Sequence, residues 1–127
     1  MPSSPPNSGR PRIVLVEDDI SLLGALKFAL EADGFDVRAY TAAQSLLDHP
    51  ISADCLVVDL KLPDGNGLEL IAALRERQVL SPAILITSNP DAHCRRAAAA
   101  AGVPIVEKPL ITGELRRRID EAIASHA

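Results

Sequence analysis

Ile13-Val14-Leu15-Val16 runs without a break into Glu17-Asp18-Asp19. Four aliphatic residues with no polar alternation suit a strand covered on both faces, and such strands belong to a parallel sheet lying between helices. The pattern recurs twice. Cys55-Leu56-Val57-Val58 runs into Asp59, and Ala83-Ile84-Leu85-Ile86 runs into Thr87-Ser88. Phe35 to Ala39 and Val103 to Val106 are weaker strand candidates, the latter followed by Glu107-Lys108-Pro109.

Helical patterns fill the intervals. Leu22, Leu23, Leu26 and Leu30 mark an amphipathic helix that Gly34 can end. Leu46 and Leu47 lie on a shorter helix before Pro50, and Leu68, Leu70, Ile71 and Leu74 mark a third that closes in Arg75-Glu76-Arg77. Asp91 to Ala101 predicts a fourth, rich in the best helix former and ended by Gly102. Leu115, Ile119 and Ile123 form a fifth, with Arg116 to Arg118 on a solvated outer face. Five strand-then-helix units joined by right-handed crossovers make a doubly wound α/β sandwich. The pattern occupies residues 12–126 as one domain. Residues 1–11, with four prolines and three serines, are expected to be a mobile tail.

Composition narrows the function. The chain has 127 residues and a net charge of -4, with 17 acidic against 13 basic side chains. That balance argues against a phosphate-backbone binder, and three aromatic residues are too few to stack single-stranded bases. Cys55 and Cys94 stand 39 positions apart without a CxxC or finger spacing, so a zinc site is not expected. No apolar run approaches the roughly 18 residues of a membrane span. The N-terminus lacks the apolar core of a signal peptide, and a reduced, cytoplasmic location is the expectation.

In an open parallel sheet, ligands bind beyond the carboxyl ends of the strands. The residues that follow the strands are therefore the informative ones: Glu17-Asp18-Asp19, Asp59, Thr87-Ser88 and Lys108. Carboxylates held close repel one another unless a cation joins them, and oxygen donors without His or Cys favour a hard divalent ion such as Mg2+. With one ammonium and one hydroxyl added, the rim can hold a tetrahedral anion above that ion. Asp59, alone at the tip of a central strand, is the candidate nucleophile. Asp19 equally suits the N-cap of the helix that follows it.

Taken together, Val-Glu-Asp-Asp at 16–19, Val-Asp-Leu-Lys-Leu-Pro-Asp-Gly-Asn-Gly-Leu-Glu-Leu at 58–70, Ile-Thr-Ser at 86–88 and Glu-Lys-Pro-Leu at 107–110 resemble the receiver domain of two-component response regulators. The intervals from Asp18 to Asp59 to Thr87 to Lys108 (41, 28 and 21 residues) are similar to that family's as well. The resemblance implies a flavodoxin-like (βα)5 fold, a five-stranded parallel sheet of order 2-1-3-4-5. It implies that Asp59 is the phosphoacceptor, that Asp18, Asp59 and the Lys61 backbone carbonyl ligate Mg2+ directly, and that Glu17 acts through water. Thr87 and Lys108 then take the positions that meet the phosphoryl group, and Pro63, Gly65 and Gly67 shape the turn into the third helix.

The implied partners are a sensor histidine kinase or histidine phosphotransfer protein and a downstream protein target, with no nucleic acid or membrane bound by this domain and a weak or phosphorylation-dependent dimer allowed. No enzymatic activity is implied beyond Mg2+-dependent self-phosphorylation and autodephosphorylation. The family usually carries Tyr or Phe at the position of Ile105, so an aromatic readout is not expected here. Lys61 and Asn89 flank the site where the family tunes loss of the phosphoryl group, and the long cation at Lys61 predicts slow loss. The chain ends just past the fifth helix, so output is expected through protein contacts or through a domain outside it.

Two other readings bear on the same residues. A phosphotransferase of the haloacid-dehalogenase type would want a second Asp two residues after the first, where this chain has Lys61. A receiver fold serving only as an interaction module, without physiological phosphorylation, draws support from Ile105 and is opposed by the complete acidic, hydroxyl and lysine set.

Overall fold

The aliphatic runs form the middle of a sheet in the computed structural model, which describes residues 9–49, 51–110 and 113–126. The long strands are β1 (Arg12–Val16), β2 (Asp36–Tyr40), β3 (Cys55–Asp59), β6 (Ala83–Thr87) and β7 (Ile105–Glu107). A short antiparallel pair, β4 (Lys61–Leu62) and β5 (Gly65–Asn66), stands apart from them. The five-stranded sheet is parallel with order β2-β1-β3-β6-β7, which is 2-1-3-4-5 when the long strands alone are counted. The helices are α1 (Ile20–Ala32), α2 (Ala43–Asp48), α3 (Gly67–Glu76), α4 (Ala92–Ala101) and α5 (Glu114–His126).

Strand alternation sorts the aliphatic side chains into two cores. Val14, Val16, Leu56, Val58 and Leu85 pack with Leu46, Leu70, Ile71, Leu74 and Ala98 of α2, α3 and α4. Ile13, Leu15, Val57, Ile84 and Ile86 pack with Leu23, Leu30, Leu115 and Ile119 of α1 and α5. Both faces are dry, so β1, β3 and β6 read as uninterrupted apolar runs rather than alternating ones.

Three helices close in the same way, and this shifts two strands from their expected limits. Phe35, Val79 and Val103 donate their N–H groups back to Leu30, Leu74 and Ala98 at 3.1, 2.9 and 2.8 Å. Each follows a residue with positive φ: Gly34 (99°), Gln78 (66°) and Gly102 (69°). This left-handed closure satisfies orphan carbonyls and draws the next apolar residue under the helix end. Phe35 is thereby committed to closing α1, and β2 begins one residue later. Val103 closes α4, Pro104 has no N–H to give a ladder, and β7 begins at Ile105.

The N-termini are capped as locally. Asp19 accepts from Leu22 N–H at 3.1 Å, Asn66 from Leu68 N–H at 2.7 Å and Asp91 from Cys94 N–H at 2.7 Å. The solvated arginine face holds in part. Arg116 and Arg117 are exposed and ion-paired, whereas Arg118 is half-buried with its Nε shielded and without a hydrogen bond. Most of the proline-rich tail, residues 1–8, and Pro50 lie outside the described residues. Among the described residues, no helix is long and apolar enough to cross a membrane.

Candidate functional site

Register brings the polar residues together. Val16 of β1 pairs with Val58 of β3, so Glu17 and Asp59, one step beyond each, are side-by-side neighbours. Asp59 pairs with Ile86 of β6, and Thr87 pairs with Glu107 of β7, which sets Lys108 one residue past that level. A cleft of about 330 Å³ at this rim is lined by Glu17, Asp18, Asp59, Lys61, Thr87 and Lys108, together with Asp19 and Ser88.

Three of these polar side chains are buried: Glu17 is 0% exposed, Thr87 2% and Asp59 5%. Charge at such depth needs compensation. Lys108 supplies it, with Nζ 2.9 Å from Glu17 Oε1 and 3.0 Å from Asp59 Oδ2. The approach to Asp59 is a hydrogen bond; the approach to Glu17 is close but unaligned, and Oε1 is left without a hydrogen bond. The other Glu17 oxygen accepts from Asp19 N–H at 3.1 Å. Burial pushes the Glu17 carboxyl above its ordinary range; Lys108 and the Asp19 N–H pull it back, and the neighbouring Asp59 pushes it up again. Burial would lower the Lys108 pKa, but Glu17 and Asp59 outweigh it and hold the ammonium charged above its usual value.

The acceptor strand is boxed from below. Leu60 N–H donates to Ile86 O at 3.0 Å and Gly67 N–H donates to Leu60 O at 2.8 Å, so α3 starts directly against β3. A Cβ on Gly67 would collide with the Asp59 carbonyl oxygen and crowd Val58 Cγ1 at 2.9 Å. Lys61 points its side chain into solvent, and its N–H lies 3.4 Å from Asp59 Oδ1. Thr87 Oγ1 donates to Ser88 O at 3.3 Å, and Lys108 N–H donates to Thr87 O at 2.9 Å. Ile105 pairs with Leu85 and is half-buried against the core under α4. Asn89 lies in the loop after β6 with φ of 46°.

The residues fit a divalent cation on their own chemistry. Glu17, Asp18 and Asp59 each place a carboxylate oxygen within 4.8 Å of the others. The donors are all oxygen, and one of them, Glu17 Oε1, is buried without a hydrogen bond. A hard ion such as Mg2+ is the match for such a set. Asp19 stands outside this group as the cap of α1. Sequence reasoning missed Asp64, which sits at the tip of the β4–β5 hairpin and accepts from the N–H groups of Ala43 and Gln44. Only the absence of a capping side chain at Ala42 hinted that α2 borrows its cap from elsewhere. The two cysteines stay outside the site, with burial raising the Cys55 thiol to about 12.

Comparison with known proteins agrees with this geometry. The family model described as the response regulator receiver domain matches residues 13–120. The KDP operon transcriptional regulatory protein KdpE of Escherichia coli is 34% identical over 91% of this chain and 52% of its own length. The transcriptional regulatory protein FixJ of Bradyrhizobium diazoefficiens is 31% identical over 87% of this chain and 56% of its own. The chain thus spans about half the length of these relatives. Among solved structures, the non-phosphorylated HemR receiver domain of Leptospira biflexa superposes with a TM-score of 0.83 at 31% identity, over 91% of this chain and 95% of that one. With the sheet order, the acidic cluster and the family match in agreement, this chain belongs to the response regulator receiver domain family.

Proposed function

We propose that Asp59 accepts a phosphoryl group from a sensor histidine kinase or histidine phosphotransfer protein in the cytoplasm, and that residues 12–126 are the receiver domain. The observation that carries this reading is the convergence of Glu17, Asp18, Asp59, Thr87 and Lys108 at one strand end, with Lys108 spanning two buried carboxylates. One Asp59 carboxylate oxygen attacks phosphorus and the P–N bond to the donor imidazole breaks. The electron pair of that bond stays on the leaving nitrogen, and Asp59 becomes an acyl phosphate. Asp18, Asp59 and the Lys61 carbonyl would hold Mg2+ directly and Glu17 through water, and the ion supplies neutralising charge for the equatorial phosphoryl oxygens. Lys108 is already ammonium and needs only to turn from Glu17 toward the phosphoryl group. Water later cleaves the P–O bond and restores the carboxylate.

Output follows from the charge added at Asp59. A conformer in which Thr87 turns its hydroxyl toward the phosphoryl group gains interaction energy, and the population shifts by that difference. Ile105 offers no phenol or ring to report the change, so α4 and β7 signal to the protein target, or to an output domain outside this chain, by aliphatic repacking. Lys61, exposed beside Asp59, shields the acyl phosphate from water and slows its loss, so Lys61→Asn should shorten its lifetime. The competing role, an interaction module that is never phosphorylated, rests on Ile105 alone. Titration with beryllofluoride in Mg2+ separates the two. Amide shifts at Asp59, Thr87 and Lys108 support the acceptor, and an unperturbed spectrum at saturating reagent supports the module.

A further inference from the structure

The loop that follows Asp59 is held at its far end by a helix to which it does not belong. Lys61 pairs with Asn66 and Leu62 with Gly65, leaving Pro63-Asp64 as a two-residue turn. At that tip the Asp64 carboxylate accepts from Ala43 N–H at 3.0 Å and from Gln44 N–H at 2.8 Å, one oxygen for each donor. These are the first two residues of α2, whose N-cap residue, Ala42, has no side chain to bond them. Unmet first-turn donors are the weak point of any helix, and a short helix feels them most. The acceptor comes from 20 and 21 residues away, so this cap is a tertiary tie.

A hairpin of two residues per strand does not hold itself together in water. This one is fastened at four places. The Leu60 backbone bonds to β6, Leu62 is buried in the core, Asn66 caps α3, and Asp64 holds α2. Only the last restrains the tip. Lys61 lies between the tip and the acceptor, its side chain in solvent and its backbone placed by the hairpin pairing and by a long 3.4 Å contact from its N–H to Asp59 Oδ1.

We propose that Asp64 is a positioning residue of the phosphoacceptor site: by capping α2 it fixes the hairpin tip and, through it, the Lys61 backbone beside Asp59. The inference rests on the reading of Asp59, Asp18 and Lys61 as the cation and acceptor site. Hydrogen bonds from Gln44 and Ala43 also hold the Asp64 carboxyl below the usual aspartate range, in keeping with an anion in service at neutral pH.

The test measures Mg2+ binding by calorimetry in the absence of any phosphodonor, together with amide exchange at Lys61 and Asn66. Asp64→Ala should raise the Mg2+ dissociation constant about tenfold, the lower end of what groups behind a metal's ligands contribute. It should also speed exchange at both amides. Asp64→Asn keeps one of the two acceptor oxygens and should recover part of the affinity; it is the deciding variant if Asp64→Ala does not fold. Leu47→Ala is the comparator, because it loosens the packing of α2 without touching the tie. Affinity lost in Asp64→Ala and kept in Leu47→Ala supports the proposal. Wild-type affinity in Asp64→Ala, or equal loss in the two variants, overturns it while the acceptor reading stands. Failure of the wild type to bind Mg2+ overturns both.

Discussion

At the scale of single residues, the site is an exercise in holding like charges together. Two buried carboxylates, Glu17 and Asp59, share one ammonium, and the Glu17 oxygen nearest that ammonium makes no hydrogen bond. This is a surplus of negative charge that a divalent cation would settle. Gly67 serves a different purpose, letting α3 begin against the Asp59 carbonyl, where no Cβ fits. Gly67→Ala must push the backbone of β3 or α3. It should destabilise the fold by roughly 1–3 kcal/mol in urea unfolding and slow phosphorylation of Asp59 as well. A stability equal to wild type would show that the contact relaxes freely. The meeting of Asp18, Asp59, Thr87 and Lys108 at one rim was legible from the sequence because each lies at or just past the end of an aliphatic strand. The buried, shared ion pair was not, since nothing in Glu17-Asp18-Asp19 tells which of three acids turns inward.

At the scale of elements, the chain stops α1, α3 and α4 with positive-φ residues and starts the same three with acidic or amide caps. Two of the three closures use glycine, whereas α3 uses Gln78 with φ of 66°. A left-handed non-glycine residue costs about 1–2 kcal/mol, and glycine gives back part of that as chain entropy. Gln78→Gly should therefore gain roughly 0.5–1 kcal/mol in thermal or urea unfolding. A loss would mean that contacts of the Gln78 side chain offset its strained backbone. These closures also explain the slipped strand limits. Phe35 and Val103 are β-formers by type but are taken by the helix ends before them. Asp64 marks the boundary of what sequence shows, because a cap contributed from 20 residues away leaves no local pattern. It carries a pH signature. The folded-state pKa of Asp64 is depressed, so its stabilisation is complete above the ordinary aspartate range and is lost as pH falls through the lowered value. The melting-temperature gap between wild type and Asp64→Asn should be widest near neutral pH and close below the aspartate range. A gap that widens toward acid would reverse the sign of this linkage.

At the scale of the whole molecule, the fold sets two dry cores behind one rim. The sheet faces differ in partners, α2, α3 and α4 on one side and α1 and α5 on the other, yet β1, β3, β6 and β7 all deliver their ends to the same edge. That regularity made the doubly wound layering readable from alternating runs, whereas the strand order came from the family resemblance. The short β4–β5 hairpin was not readable, because two-residue strands have no periodicity to detect. A ligand that binds only the folded rim must stabilise the entire chain by mass action. Saturating Mg2+ should raise the melting temperature of wild type and leave Asp18→Asn nearly unmoved; equal shifts in both would place the ion elsewhere. The role of Asp59 is tested most directly by labelling the chain with radioactive acetyl phosphate in Mg2+, alongside Asp59→Asn and wild type in excess chelator. Wild type with Mg2+ should take up an acid-stable, base-labile phosphoryl group approaching one per chain, and the other two should take up none. Labelling of Asp59→Asn to the same level would contradict the acceptor assignment.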